Sequence, residues 1–451
     1  MSEEFDAVVE QVRERVTPDA TERAKLEAVA DEVVRRAEAA IADLDVDAEV
    51  VRVGSTARGT WTAGDRDIDV FVCFSPDLDR ERLERYGLEV GHAVLPEGHE
   101  EYAEHPYVKG PVDGYDVDLV PCYAVDDATA AQSAVDRTPF HTRYVEERID
   151  DDLAADVRVA KQFGKAIGIY GSNLKTRGFS GYLTELLVLE YGGFRPLVEA
   201  AADDWHPPVV FDPEDHGQQS FDDPLVLVDP TDPERNVAAV VAPDAVARFQ
   251  HYARELLADP RESLFVPSDP DPIDAAAVRE AIDRRGTTPV AIHFDAPDLV
   301  DDQLWPQLYR SIDGVTSELD RRGFDVLRAA AFADESAALF VELEVAERPA
   351  VERHDGPPVH VGEHARGFYE KYADTDAAGP YVDGDRYVVE RERAHPSAPD
   401  LLRSDALFDV ALGAHVESAL EEGYEVLVGE DVAALAESFG VELARYFDPK
   451  P

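Results

Sequence analysis

The chain has 451 residues, too many for one core of ordinary size, so two to four domains of roughly 100 to 150 residues each are expected. Its 96 acidic and 43 basic residues leave a formal net charge of -53, yet 44% of the residues are hydrophobic, which excludes a disordered acidic chain and describes a folded protein with an acidic surface. No apolar run approaches the roughly 20 residues of a membrane span, and the opening MSEEFDAVVE is acidic with no signal-peptide core, so a cytoplasmic location is expected.

Lysine occurs only at Lys25, Lys109, Lys161, Lys165, Lys175, Lys371 and Lys450. Scarce lysine beside abundant short carboxylates resembles proteins adapted to molar salt, where at about 1 M the Debye length falls to roughly 3 Å and self-repulsion is screened. The acidity therefore does not argue against a nucleic-acid partner. Arg143, Arg148, Arg158, Lys161, Lys165, Lys175 and Arg177 form a local basic stretch, a candidate phosphate site set against the plainer reading of a solvated face. Cys73 and Cys122, each in an apolar run, read as buried reduced thiols with no chemistry assigned.

In chain order, Thr17-Pro18 opens a long amphipathic helix to about Leu44, with Leu26, Val29, Val33 and Ala37 at helical spacing. Val50 to Val53, Ile68 to Phe74 and Tyr115 to Tyr123 are β-rich runs, and the last two alternate Asp with apolar residues as neighbouring strands of one sheet would. Helical patterns follow at Ala154 to Ile169, Tyr182 to Tyr191 and Pro243 to Ala258, separated by a Pro- and Asp-rich loop with embedded strands from Asp203 to Pro233. Asp259 to Pro272 reads as a linker. Beyond it, Thr288 to Phe294, Gln303 to Arg322, Phe324 to Phe332 and Ala337 to Val345 give β-α-β-β, without the interleaved aromatics that mark base stacking. The expected fold is thus α+β and multidomain: residues 1–142 an amino-terminal helix with a catalytic domain, 143–260 a helical central domain, 273–451 carboxy-terminal α+β modules.

The chemistry is concentrated in Gly54-Ser55-Thr56-Ala57-Arg58, a turn after a strand, and in Asp67-Ile68-Asp69 just beyond it. Residues two apart on a strand share a face, so Asp67 and Asp69 present paired carboxylates that call for a compensating cation, with hard Mg²⁺ the natural match; the bland alternative is a solvated strand edge. Tyr115-Asp116-Val117-Asp118 repeats the alternation on a second strand, and a third carboxylate there completes what two-metal phosphoryl transfer requires. Asp118, deeper in the apolar run than Asp116, is the preferred third ligand. The Gly54-Ser55 turn supplies backbone N–H groups and a hydroxyl for triphosphate oxygens, and Arg58 adds charge.

Gly54-Ser55, Asp67-x-Asp69 and Asp118 on a later strand resemble the polymerase β-type nucleotidyltransferase superfamily. Further along, Pro139-Phe140-His141-Thr142, Lys161, Tyr170, the run from Lys175 to Tyr182 and Asp229-Pro230-Thr231-Asp232-Pro233-Glu234-Arg235-Asn236-Val237 resemble the archaeal, class I CCA-adding enzymes, nearly end to end. The resemblance implies a polymerase β-like palm, a helical central domain and RNA-binding carboxy-terminal domains. It implies Mg²⁺ held by Asp67, Asp69 and Asp118, ATP or CTP contacted by Ser55, Arg58, His141, Lys161 and Tyr170, and a base edge read by Arg235. Family members can carry Glu where this chain has Asp67. Taken singly, His141 reads as an ordinary polar histidine, Lys161 and Tyr170 as helix residues, and Arg235-Asn236 as a turn and helix cap.

The activity so implied is template-independent addition of CCA to the tRNA 3′ end from CTP and ATP, with the carboxy-terminal half, including 360–372 and 379–393, gripping the acceptor end, and with a homodimer suggested by the resemblance. A poly(A) polymerase or an oligoadenylate synthetase relative would share the carboxylates, and an RNA-binding protein on a dead transferase fold is the non-enzymatic alternative.

Overall fold

The structure, a computed structural model, describes residues 2–102, 104–217 and 220–451. Met1 of the acidic opening, and Gln218 and Gln219 of the expected loop from Asp203 to Pro233, lie outside the described residues, as does Ala103. The chain divides into two compact units, one running to Ser268 together with Pro451, the other from Asp269 to Lys450.

The first unit holds two large cores and a small third one, Val53, Phe71, Cys73, Val120 and Cys122. Strands β1 (Ala48–Val53), β2 (Asp67–Phe74), β3 (His99–Tyr102), β4 (Pro106–Val112) and β5 (Tyr115–Tyr123) form one sheet in the order β1-β2-β5-β4-β3. All pairings are antiparallel except β2 with β5, which run parallel. Helix α1 (Ser2–Val16) precedes α2 (Ala20–Ala42), which lays Leu26, Val29, Val33, Ala37 and Ile41 against the sheet core. Its cap is Asp19, whose side chain accepts from Glu22 N at 2.8 Å, so the helix starts two residues downstream of the Thr17-Pro18 start expected from the sequence.

The second core is helical. After the four-residue turn α3 (Gly54–Ala57) and the sheet-covering α4 (Arg80–Val94), the chain forms α5 (Thr138–Glu146), α6 (Asp151–Ala166), α7 (Gly181–Tyr191), α8 (Phe194–Asp203) and α9 (Pro243–Ala258). Phe163, Leu183, Leu187, Phe194, Leu197 and Phe249 are buried at its centre, and α1 joins this core through Phe5, Val9, Val12 and Val16. Strands β6 (Val209–Phe211), β7 (Leu225–Asp229) and β8 (Asp232–Asn236) make a small sheet at its side. Arg235 and Asn236 therefore sit on a strand, where the sequence suggested a turn and helix cap: Asn236 pairs with Val228, and its side chain accepts from Leu227 N. The expected linker is also shorter than read, because Leu264 and Phe265 are buried in the helical core.

In the second unit, α10 (Ala275–Arg285), β9 (Thr288–Asp295), α11 (Asp301–Arg321), β10 (Val326–Ala333) and β11 (Ser336–Leu343) reproduce the expected β-α-β-β. A separate three-stranded sheet follows, from β12 (Val351–Pro358), β13 (Ala378–Asp383) and β14 (Arg386–Glu392), with α12 (Gly362–Tyr372) against it. Here His354, Phe368, Tyr372 and Tyr387 form an aromatic cluster. After α13 (Ala398–Leu402) and α14 (Ala414–Glu422), β15 (Glu425–Val428) returns to pair with β9, giving the order β10-β11-β9-β15, and α15 (Ala436–Phe447) closes the unit. No helix among the described residues is long and apolar enough to cross a membrane.

Candidate active site

Parallel pairing of β2 with β5 sets Asp69 level with Asp118 and Asp67 level with Asp116. Asp67 and Asp116 are exposed at the strand starts, whereas Asp69 and Asp118 are half-buried. Burial, followed by the negative charges of Asp118 and Asp67, pushes the Asp69 carboxyl up to about 6. Burial also raises Asp118, against the pull of Lys109, whose Nζ lies 3.0 Å from Asp118 Oδ1. Lys109 comes from β4, opposite Asp118 in the antiparallel register.

This donor set suits a hard divalent cation: the ligands are oxygens, they repel one another, and Asp118 Oδ1 is buried yet accepts no well-directed hydrogen bond. Among the described residues, no three His, Cys, Asp or Glu side chains converge closely enough to hold an ion. Lys109 supplies the positive charge at Asp118 in this arrangement.

The turn after β1 meets these carboxylates directly. Gly54 has φ +76°, and a Cβ there would fall 2.0 Å from Asp69 Oδ2, so both backbone and space require glycine. Gly54→Ala is expected to displace the Asp69 carboxylate and lower kcat roughly 100-fold, with a loss of stability of about 1 kcal/mol or more from the left-handed backbone alone. Steady-state kinetics and thermal melting check it; near wild-type turnover would show that Asp69 is not held by this turn. Ser55, next in the turn, has no side-chain partner among the described residues.

Arg58 turns away from the strands into a buried charge network. Its Nε lies 2.7 Å from Glu185 Oε2, and its guanidinium donates to Thr142 Oγ1 at 3.2 Å. Glu185, on α7 and fully buried, also meets Lys161 Nζ at 3.2 Å and accepts from Thr60 Oγ1. Burial opposes a charged Glu185, but Arg58 and Lys161 together outweigh it and hold the carboxyl below its ordinary range. Tyr170 borders the network: a Cβ on Gly181 would lie 3.2 Å from its hydroxyl and 3.8 Å from Lys161 Nζ.

The basic stretch of the sequence thereby acquires a partial logic. Arg158, Lys161 and Lys165 lie three and four residues apart on α6 and so share one face. They reach in turn Gly59 O, Thr60 O, and Thr62 Oγ1 with Asp65, pinning the segment that joins the Gly54 turn to Asp67. Arg148 lies elsewhere, paired with Glu214.

His141 belongs to a third cluster. Its Nε2 is 2.8 Å from Asp229 Oδ2, and its ring stacks on Tyr182 with centroids 4.2 Å apart. Arg235 donates to the same Asp229 oxygen at 3.0 Å. Burial lowers the histidine against the pull of Asp229, and His141 and Thr231 hold Asp229 near 2 against its own burial. Arg58 couples the clusters, since Thr142 follows His141 directly.

Family models match the chain in three successive stretches: a nucleotidyltransferase domain over residues 34–141, a tRNA nucleotidyltransferase second domain over 155–266 and a CCA-adding enzyme C-terminal domain over 285–429. A CCA-adding enzyme of Haloarcula marismortui is 67% identical over 100% of both chains, and one of Halorubrum lacusprofundi is 61% identical over 100% of both. The chain belongs to the family of CCA-adding enzymes. Its amino-terminal part is a nucleotidyltransferase domain, and the chain mixes helices and strands. Among solved structures, one of the RNA terminal uridylyl transferase Cid1 aligns with TM-score 0.47 and 16% identity over 60% of this chain and 100% of that one.

In this family member, three residues that the sequence reading did not single out organise the site: Glu185, which binds two of the expected nucleotide-binding cations; Asp229, which holds His141 and Arg235; and Lys109, which faces Asp118. Lys161 is itself only 2% exposed, so it supports Thr60 and Glu185 from within the protein.

Proposed function

We propose that this chain adds C, C and A to the 3′ end of tRNA from CTP and ATP without a template, releasing pyrophosphate, and does so in the cytoplasm. In each step the RNA 3′-oxygen forms a bond to the α-phosphorus, the α–β phosphoanhydride bond breaks, and the hydroxyl proton is lost to solvent. Asp67, Asp69 and Asp118 are the side chains that would hold the divalent cation, Mg²⁺ in this reading. When bound, it lowers the pKa of the attacking hydroxyl and steadies the leaving pyrophosphate. Ser55 and the Gly54 turn bind phosphate oxygens, Arg58 adds charge held in place by Glu185, and Lys161 and Tyr170 support that wall. His141 and Arg235, aligned by Asp229, face the base.

The observation that carries this reading is the pairing of Asp69 with Asp118 beside the Gly54 turn, in a chain whose sequence matches CCA-adding enzymes throughout. Incubating the protein in high KCl with tRNA lacking its 3′ end and with each nucleotide separately tests it. CTP alone should extend the RNA by CC, and ATP should add one A only afterwards. Long homopolymer tails would instead support the poly(A) polymerase alternative, and no product in any arm would support the inactive RNA-binding one.

A further inference from the structure

Of the three cations on the inner face of α6, Lys161 is paired with Glu185 and Lys165 with Asp65, but Arg158 has no ion pair among the described residues. It is only 7% exposed, it donates to Gly59 O, and its Nε has no partner. In a chain with 96 acidic residues, a buried guanidinium left without a carboxylate is anomalous, because an uncompensated buried charge costs several kcal/mol.

Arg158 lines a half-open cavity of about 380 Å³ that is also bordered by Thr56, Ala57, Arg58 and Gly59. Thr56 lines it too, with a buried hydroxyl that has no partner among the described residues, as does Arg23, whose side chain donates to Pro18 O at 3.0 Å and makes no other hydrogen bond among them. The amino-terminal end of α6, a 16-residue helix, closes one side and adds its positive dipole end.

The acidic residues of the lining do not cancel this charge. Glu27 is bound to Arg52 at 2.6 Å, and Asp150 is engaged in capping Leu153 N at 2.9 Å. Asp151 is exposed and acts on Arg158 against both Arg23 and Arg13; burial first, then these two arginines, bring the Arg158 guanidinium down to about 10. The field at Arg158 is positive on balance.

We propose that this cavity is a second anion site, distinct from the triphosphate position at Gly54-Ser55, which takes one tetrahedral phosphoryl group between Arg158, Arg23 and the Thr56 hydroxyl. Free phosphate or pyrophosphate and a backbone phosphodiester of bound RNA share that chemistry. The site is lined by Thr56, Ala57, Arg58 and Gly59, which directly follow Ser55 in the chain, so an occupant there stiffens that turn. It does not depend on which polymer the enzyme makes.

Binding of radiolabelled orthophosphate to the full-length protein, measured by equilibrium dialysis with CTP saturating, tests the proposal. Wild type should bind it, with Kd about tenfold or more weaker in Arg158→Gln and weakened severalfold in Arg23→Gln. Equal binding by wild type and both variants, or binding abolished by CTP, overturns the site. Should Arg158→Gln fail to fold through loss of its Gly59 contact, Arg23→Gln decides alone, because that side chain is exposed and makes no ion pair among the described residues. A second arm identifies the source. If RNA backbone fills the site, Arg23→Gln lowers the salt slope of tRNA binding by about 1. If phosphate binding is lost while that slope stays unchanged, the occupant is the free anion.

Discussion

Asp69→Asn is expected to reduce nucleotide addition roughly 1,000-fold or more while making the metal-free protein more stable. The two effects have one cause. Asp69 is a carboxylate drawn out of water and set level with Asp118, with Asp67 two residues away on the same strand. In the reading proposed above, the sheet holds these charges together against their repulsion so that they can share a cation. Removing one charge relieves the repulsion and removes the ligand at once. A residue serving only the fold would lose stability and activity together.

The pH dependence follows from the raised carboxyl. In the unfolded chain Asp69 ionises near its ordinary value of 3.8, in the folded protein at about 6. The folded state holds the proton longer, so ionisation disfavours folding: the penalty is absent below the unfolded value and complete above the folded one. Metal-free wild type should therefore gain stability as pH falls from 7 through 6 toward 4, by at most about 3 kcal/mol from this group. Asp69→Asn should lack that gain. Melting midpoints in chelator across this range check it, together with turnover of CTP into tRNA at neutral pH. An Asp69→Asn protein that keeps wild-type turnover, or that melts lower than wild type in chelator at pH 7, contradicts the assignment.

The sequence exposes the carboxylates but not their alignment. Alternation of Asp with apolar residues is local and marks β2 and β5 directly. That Asp69 is level with Asp118 depends on a parallel crossover through α4, β3 and β4, and no local pattern encodes that register. Lys109 is hidden for the same reason, since its place opposite Asp118 comes from the β4–β5 register. Asp229 stood within the motif that singled out Arg235, yet only the folded chain brings it to His141, 88 positions earlier.

Other differences reflect competition between local signals and burial. Thr17-Pro18 carries a helix-start pattern, but Asp19 takes the cap because its carboxylate reaches Glu22 N. Leu264-Phe265 lies within a Pro- and Asp-rich stretch that reads as linker, and burial of Phe265 against Phe163 and Phe194 draws the segment into the helical core. Glu185 left a legible trace: Gly181-Tyr-Leu-Thr-Glu-Leu-Leu-Val-Leu-Glu-Tyr191 is mostly apolar, and a carboxylate in the middle of it, flanked by Leu183, Leu186 and Leu187, demands a cationic partner.

That demand makes Glu185 the position where one substitution should cost the most stability. Glu185→Gln keeps the shape and the hydrogen bond from Thr60 but removes the charge, leaving Arg58 and Lys161 facing each other inside the protein. Breaking a buried pair from one side costs about 3–5 kcal/mol, which in a unit of this size lowers Tm by on the order of 10 °C. Because the Glu185 carboxyl is held below its ordinary range, its contribution is present above the unfolded value near 4.5 and is lost only as pH falls through the lower folded value. Wild type and variant should thus differ most at neutral pH and converge in acid. Adding Lys161→Met to Glu185→Gln should recover part of the loss by removing one of the two stranded cations, whereas a merely steric role for Glu185 would make the two changes additive. Arg58 would remain without its anchor in that double variant, so on the proposed reading a rise in KM for the nucleotide should persist after stability returns, separating the carboxylate's hold on the fold from its hold on Arg58.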